Sequence, residues 1–106
     1  MVKRIVWSAN ALSDRIQILD YWFARTGSKT YSKKLDKSIK TLIKHLISFP
    51  EMGRKVPEAD ENNIREIIIR PYRIIYQLQE SSINIITIVH SARDLSNPKL
   101  KKWEIG

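Results

Sequence analysis

The chain has 106 residues, no cysteine, and 19 Lys+Arg against 11 Asp+Glu, a formal charge of +8. That size allows one domain, read here as residues 1–106, and the 42% apolar content is enough for one core. Disulfides, thiolate metal sites and cysteine nucleophiles are excluded, and the positive charge favours polyanionic or acidic partners.

Residues 2–7 read as a short strand, and Ser8 is placed to cap a helix after it. From Ala9 to about Arg25, Leu12, Ile16, Leu19 and Phe23 recur at helical spacing and predict one apolar stripe. Gly27 marks the stop. A second helix is predicted from Lys29 to about Phe49, where Pro50 ends it. Tyr31, Leu35, Ile39, Leu42, Ile43 and Leu46 share one face of it, and Lys29, Lys33, Lys37, Lys40 and Lys44 the other. His45 sits on the flank. Residues 50–63 read as a loop, and the acidic run at 58–61 as a solvated part of it. Three β-branched segments follow, at Ile64–Arg70, Tyr72–Gln79 and Ile83–His90.

The expected fold class is α+β in the order β-α-α-β-β-β. It would have a mainly antiparallel four-stranded sheet and a helical hairpin packed on one face. Apolar residues alternate to both faces of the last strands, with Ile83, Ile85 and Val89 opposed to Ile86 and Ile88. The face away from the hairpin therefore needs its own cover: the C-terminal Leu95, Leu100, Trp103 and Ile105, or another chain. No apolar run has signal or membrane-span length, so a cytoplasmic protein without membrane contact is expected.

The charge is unevenly placed. Residues 1–55 hold 12 Lys+Arg and 4 Asp+Glu, whereas residues 56–106 hold 7 of each. The excess lies mostly between Arg25 and Lys44, and its functional reading is long-range attraction to a polyanion. Phosphate-loop, GxGxxG and GxSxG signatures are absent. His45 and His90 have no ligand-spaced companions, so neither a metal site nor a cofactor is expected. A basic and aromatic set remains in the second half: Arg65, Arg70, Tyr72, Arg73, Tyr76, His90 and Arg93. Guanidinium groups with one imidazole suit metal-free RNA cleavage, which needs a base, an acid and cations at the phosphate. On composition alone the same set reads first as surface arginines on a sheet and a strand-end histidine. Tyr72 and Tyr76 share parity with Ile74 and should face the core, which sends Arg73 to the other face with Ile75 and Gln77.

The chain resembles the RelE/ParE superfamily of toxins from type II toxin–antitoxin (plasmid stabilisation) modules. The likeness runs through Val6-Trp7-Ser8, Ala11-Leu12, Tyr21-Trp22, Phe49-Pro50-Glu51-Met52-Gly53-Arg54, Ile64-Arg65-Glu66-Ile67, Tyr72-Arg73-Ile74-Ile75-Tyr76 and Ile88-Val89-His90-Ser91-Ala92-Arg93-Asp94-Leu95. It implies a growth-inhibiting toxin neutralised by a cognate antitoxin, acting on DNA gyrase or on messenger RNA at the ribosome, and not on a small molecule. Arg73 and Arg93 match catalytic arginines of RelE-like nucleases, with His90 as the acid or base candidate. Arg65, Arg70, Lys33, Lys37 and Lys40 are the nucleic-acid-binding candidates. The family's C-terminal tyrosine has no counterpart, since Lys99 falls near its place, and RelE-type lysines before Tyr72 are missing. The long hairpin and the Phe-Pro-x-x-Gly-Arg turn look more like ParE, which favours gyrase inhibition. The alternatives are a ribosome-dependent endoribonuclease and a degenerate, non-toxic basic binding module.

Overall fold

The computed structural model describes residues 3–59 and 63–90. Its elements are β1 (Arg4–Trp7), α1 (Ala9–Thr26), α2 (Lys29–Ser48), β2 (Arg54–Lys55), β3 (Ile64–Ile69), β4 (Tyr72–Leu78) and β5 (Ser82–His90). The α+β class and the hairpin on one face agree with the sequence reading. The four-stranded description does not: the sheet has five strands in the order β1-β5-β4-β3-β2, and β1 runs parallel to β5. The extra strand is Arg54–Lys55, two exposed residues of the predicted loop that pair with Glu66 and Arg65. So short a strand carries no periodicity to read. The other pairings are antiparallel.

Local chemistry sets the helix ends. Ser8 Oγ accepts from the Ala11 amide at 2.9 Å and donates to the Ile86 carbonyl at 2.8 Å, so one hydroxyl caps α1 and ties it to β5. Asp14, one turn on, accepts from the Ile88 amide at 3.1 Å and from the Thr87 hydroxyl. Gly27 takes the left-handed conformation (φ 69°) that closes α1, and Ser28 caps α2. The helices are joined by the Ser32 hydroxyl on the Leu19 carbonyl and by Arg15 gripping Asp36 at 2.7 and 3.0 Å.

The core between hairpin and sheet holds Ala11, Leu35, Ile39, Ile43, Leu46, Tyr72, Ile74, Tyr76, Ile83, Ile85 and Ile88. For α2 this follows the predicted stripe, with Tyr31 left partly in solvent. For α1 it does not. Ala11, Ile18, Leu19 and Trp22 meet the core, while Leu12, Ile16 and Phe23 of the predicted stripe are exposed, Ile16 by 60%. In β5 the expected alternation breaks at a bulge: Tyr76 pairs with Ile85 but Ile75 with Thr87, so Ile86 is the extra residue. Ile83, Ile85 and Ile88 therefore join the hairpin side, and Ile86 and Val89 the second face. There they form a smaller cluster with Val56, Ile64, Ile75 and Ala59. The predicted cover from Leu95, Leu100, Trp103 and Ile105 lies outside the described residues. Among the described residues, no helix is long and apolar enough to cross a membrane.

Candidate functional site

The second face carries a buried polar centre. Arg73, in the middle of the sheet, is 5% exposed. Its guanidinium donates to Glu66 at 2.6 and 3.2 Å and to Glu58 at 2.9 and 3.0 Å. Glu66 has no contact with solvent through its side chain and also accepts from Arg54 Nε at 3.0 Å. Two carboxylates thus face two guanidinium groups. Hydrogen bonding to Glu58, opposed by burial and reinforced by Glu66, raises the Arg73 pKa further above its already high ordinary value. The side chain stays charged at every working pH.

Register separates the nuclease candidates. Tyr72 pairs with His90 and Arg73 with Val89, so Arg73 and His90 project from opposite faces of the sheet. His90 is exposed, with its ring 6.2 Å from that of Tyr72, and it borders a cavity of about 620 Å³ with Asp14, Gln17, Tyr21, Trp22 and Tyr72. Tyr72 accepts from the Trp22 indole at 2.6 Å, and burial pushes its phenol pKa up. Arg93 lies outside the described residues.

Arg65 is drawn into structure. It pairs with Tyr76 across β3 and β4, and its guanidinium donates to the Gly53 carbonyl at 2.8 Å and the Glu51 carbonyl at 3.3 Å. Tyr76 Oη accepts from the Gly53 amide and donates to the Pro50 carbonyl, both at 2.9 Å. A Cβ on Gly53 would fall 2.4 Å from that oxygen, so glycine is required for the close approach. The Phe-Pro-x-x-Gly-Arg turn is therefore a docked loop held by Arg65 and Tyr76. Arg70, Lys33, Lys37 and Lys40 are all exposed, Arg70 in the β3–β4 turn and the lysines on α2. Lys40 shares Asp36 with Arg15.

Sequence reasoning missed Glu58 and Glu66. Glu66 has the parity of Ile64 and Ile68, and the pairing of Ile68 with Arg73 puts it on the face of Arg73, a register the sequence does not carry. Glu58 sits in irregular chain, half-buried and ion-paired where a solvated residue was expected, and nothing in its neighbours announces this. Among the described residues, no three His, Asp or Glu side chains are grouped to hold a metal ion.

Comparison with known proteins places these observations in context. A family model described as "ParE toxin of type II toxin-antitoxin system, parDE" matches residues 5–95. The curated toxin RelE2 of Caulobacter vibrioides is 30% identical over 91 residues, covering 85% of this chain and 97% of that one. Among solved structures, a chain of the chromosomal ParDE system from P. aeruginosa superposes with a TM-score of 0.70 at 19% identity, covering 84% of this chain and 96% of that one. A free-state E. coli RelE carrying two arginine-to-alanine changes gives 0.59 at 16% identity, covering 97% and 98%. The last two likenesses concern the fold.

Proposed function

This chain belongs to the ParE toxin family of type II toxin–antitoxin systems, within the RelE/ParE superfamily, and we propose that it inhibits growth by binding DNA gyrase rather than by cutting RNA. Membership implies a cognate antitoxin that holds the toxin inactive. The observation that carries the gyrase reading is the double carboxylate clamp on Arg73. Phosphate cleavage without a metal needs a cation at the crowded phosphate and an acid or base within hydrogen-bond reach of the same atoms. A phosphate approaching Arg73 meets the carboxyl groups of Glu58 and Glu66 already on the guanidinium. The imidazole of His90 projects from the opposite face. A buried guanidinium with its fork filled by carboxylates supports the sheet, and a toxin that works through its surface needs nothing more from it.

The test is direct. Purified chain added to gyrase should inhibit supercoiling and trap cleaved DNA, and induction in cells should raise DNA-damage signalling while messenger RNA persists. Absence of supercoiling inhibition at excess toxin, together with loss of messenger RNA on induction, would establish the endoribonuclease alternative. Growth unaffected by expression without antitoxin would leave a non-toxic binding module.

A further inference from the structure

We propose that the lysine face of α2, with the groove between α2 and the β3–β4 turn, is a docking surface for the phosphate backbone of duplex DNA. Helix α2 carries six lysines (29, 33, 34, 37, 40 and 44) and one acidic residue, Asp36. Asp36 is committed: Arg15 holds both of its oxygens, and that pairing, opposed by burial and helped by Lys40, keeps its carboxyl below the usual range. Among the described residues no carboxylate lies within ion-pair distance of Lys29, Lys33, Lys34, Lys37 or Lys44, all exposed. Lysines four apart are about 6 Å apart along a helix axis, and Lys29 to Lys44 spans about 22 Å. A duplex presents a charge about every 3.4 Å along each strand, so this row runs beside roughly half a dozen phosphates of the nearer strand.

The groove gives the row a second wall. It is a hollow of about 530 Å³ whose surface is mostly apolar, lined by Lys34, Lys37, Thr41, Leu42, His45 and Ile69. Ile69 ends β3, so the turn bearing the exposed Arg70 adjoins it. Two ammonium groups and the Thr41 hydroxyl can donate to phosphate oxygens there, the Ser38 hydroxyl being spent on the Lys34 carbonyl, and Leu42 and Ile69 offer an apolar wall to sugar.

Chemistry favours nucleic acid over an acidic protein. Protein interfaces are depleted in lysine and centred on apolar or aromatic anchors. On α2 the exposed large apolar groups are Tyr31 and Ile47, each 39% exposed; the more exposed Ile16 and Tyr21 lie on α1, and Phe49 caps the C-terminal end of α2. Separate, mobile point charges match a polymer of phosphates instead. The choice of DNA over RNA rests on the gyrase reading, since that target acts on a duplex.

The experiment measures DNA binding without gyrase. Full-length chain is titrated into a fluorescent 20-base-pair duplex, and anisotropy is followed from 50 to 200 mM KCl. Wild type should bind, with affinity falling steeply with salt. The triple variant Lys33→Ala/Lys37→Ala/Lys40→Ala should lower the slope of log K against log[salt] by about 2.7, from roughly 0.9 per lost phosphate contact. Lys34→Ala/Arg70→Ala should lower it by about 1.8 on the same count. Matching circular-dichroism melts establish that both variants fold. No binding at 50 mM, a slope unchanged in both variants, or tighter binding to duplex RNA or polyglutamate would overturn the proposal. Salt-dependent DNA binding without supercoiling inhibition upholds this surface and sinks the gyrase reading. Supercoiling inhibition without DNA binding does the reverse.

Discussion

Glu66 is sealed from water with two guanidinium groups upon it, and that arrangement decides how substitutions on the second face behave. Removing one member of a buried ion pair strands the other charge, at a cost of about 3–5 kcal/mol, while replacing both with apolar residues is often close to neutral. The single variant Arg73→Met leaves the sealed Glu66 with only the exposed Arg54, whereas Glu66→Leu would leave Arg73 its Glu58 pairing, so Arg73→Met should unfold at much lower urea than wild type. The double variant Glu66→Leu/Arg73→Met should recover part of that loss, with the midpoint of urea unfolding as the measure. A double variant no more stable than the single one would mean that the two groups are not coupled. The same logic warns against reading Arg73→Ala alone as a catalytic test: loss of toxicity there can follow from loss of the fold. Parity made the face of Arg73 readable from residue types, but that of Glu66 relative to it needed the pairing of β3 with β4. Glu58 was not readable, because an irregular loop has no period from which its direction could be inferred.

The two helices are both amphipathic, yet only one was oriented correctly by its spacing. In α2 the lysines are so regular that the opposite face is unambiguous, and Leu35, Ile39, Ile43 and Leu46 are buried as expected. Helix α1 carries two overlapping apolar stripes one residue apart, or about 100° around the axis. Leu12, Ile16, Leu19 and Phe23 make the more obvious one, of which Leu19 alone packs on the core. The core selects the other, because Ala11 is small enough for close approach to the sheet and Trp22 reaches Tyr72 and packs tilted against Tyr31, ring centres 4.8 Å apart. Periodicity finds a stripe; contact with the neighbouring element selects it. The consequence is measurable. Ile39→Ala, at 1% exposure, should cost about 2–5 kcal/mol. Ile16→Ala should change stability by no more than about 0.5 kcal/mol. Equal losses in urea unfolding would contradict the assigned orientation of α1.

At the scale of the whole molecule, the order of elements and the hairpin-on-sheet layering were legible in the sequence, while strand direction and register were not. The parallel pairing of β1 with β5 depends on the intervening hairpin carrying the chain across the sheet. The bulge at Ile86 reverses the alternation of β5 without any glycine to mark it. Both features are set by tertiary contact, and both bear on how ionisable groups are distributed between surface and interior. On the alkaline side, burial raises the phenol pKa of Tyr76 against the opposing Gly53 amide, and raises that of Tyr72 against the Trp22 indole. Unfolded tyrosines lose their protons near pH 10. Above that pH the folded state holds more protons than the unfolded one, so stability falls as pH rises. On the acid side the Arg15 guanidinium holds Asp36 low, so the unfolded carboxyl takes up a proton first as pH falls through about 4, and stability falls there too. Arg73 does not titrate in this interval. The thermal midpoint should therefore be highest between these limits and drop steeply above about pH 10. Tyr76→Phe sharpens the test. It strips the Gly53 amide and Pro50 carbonyl of their partner, which should lower the midpoint at neutral pH by the equivalent of about 1–3 kcal/mol. It also removes one buried phenol, so the variant's alkaline fall should be shallower and the two curves should converge as pH rises. Parallel curves from pH 8 to 11 would rule out Tyr76 as a source of the alkaline loss.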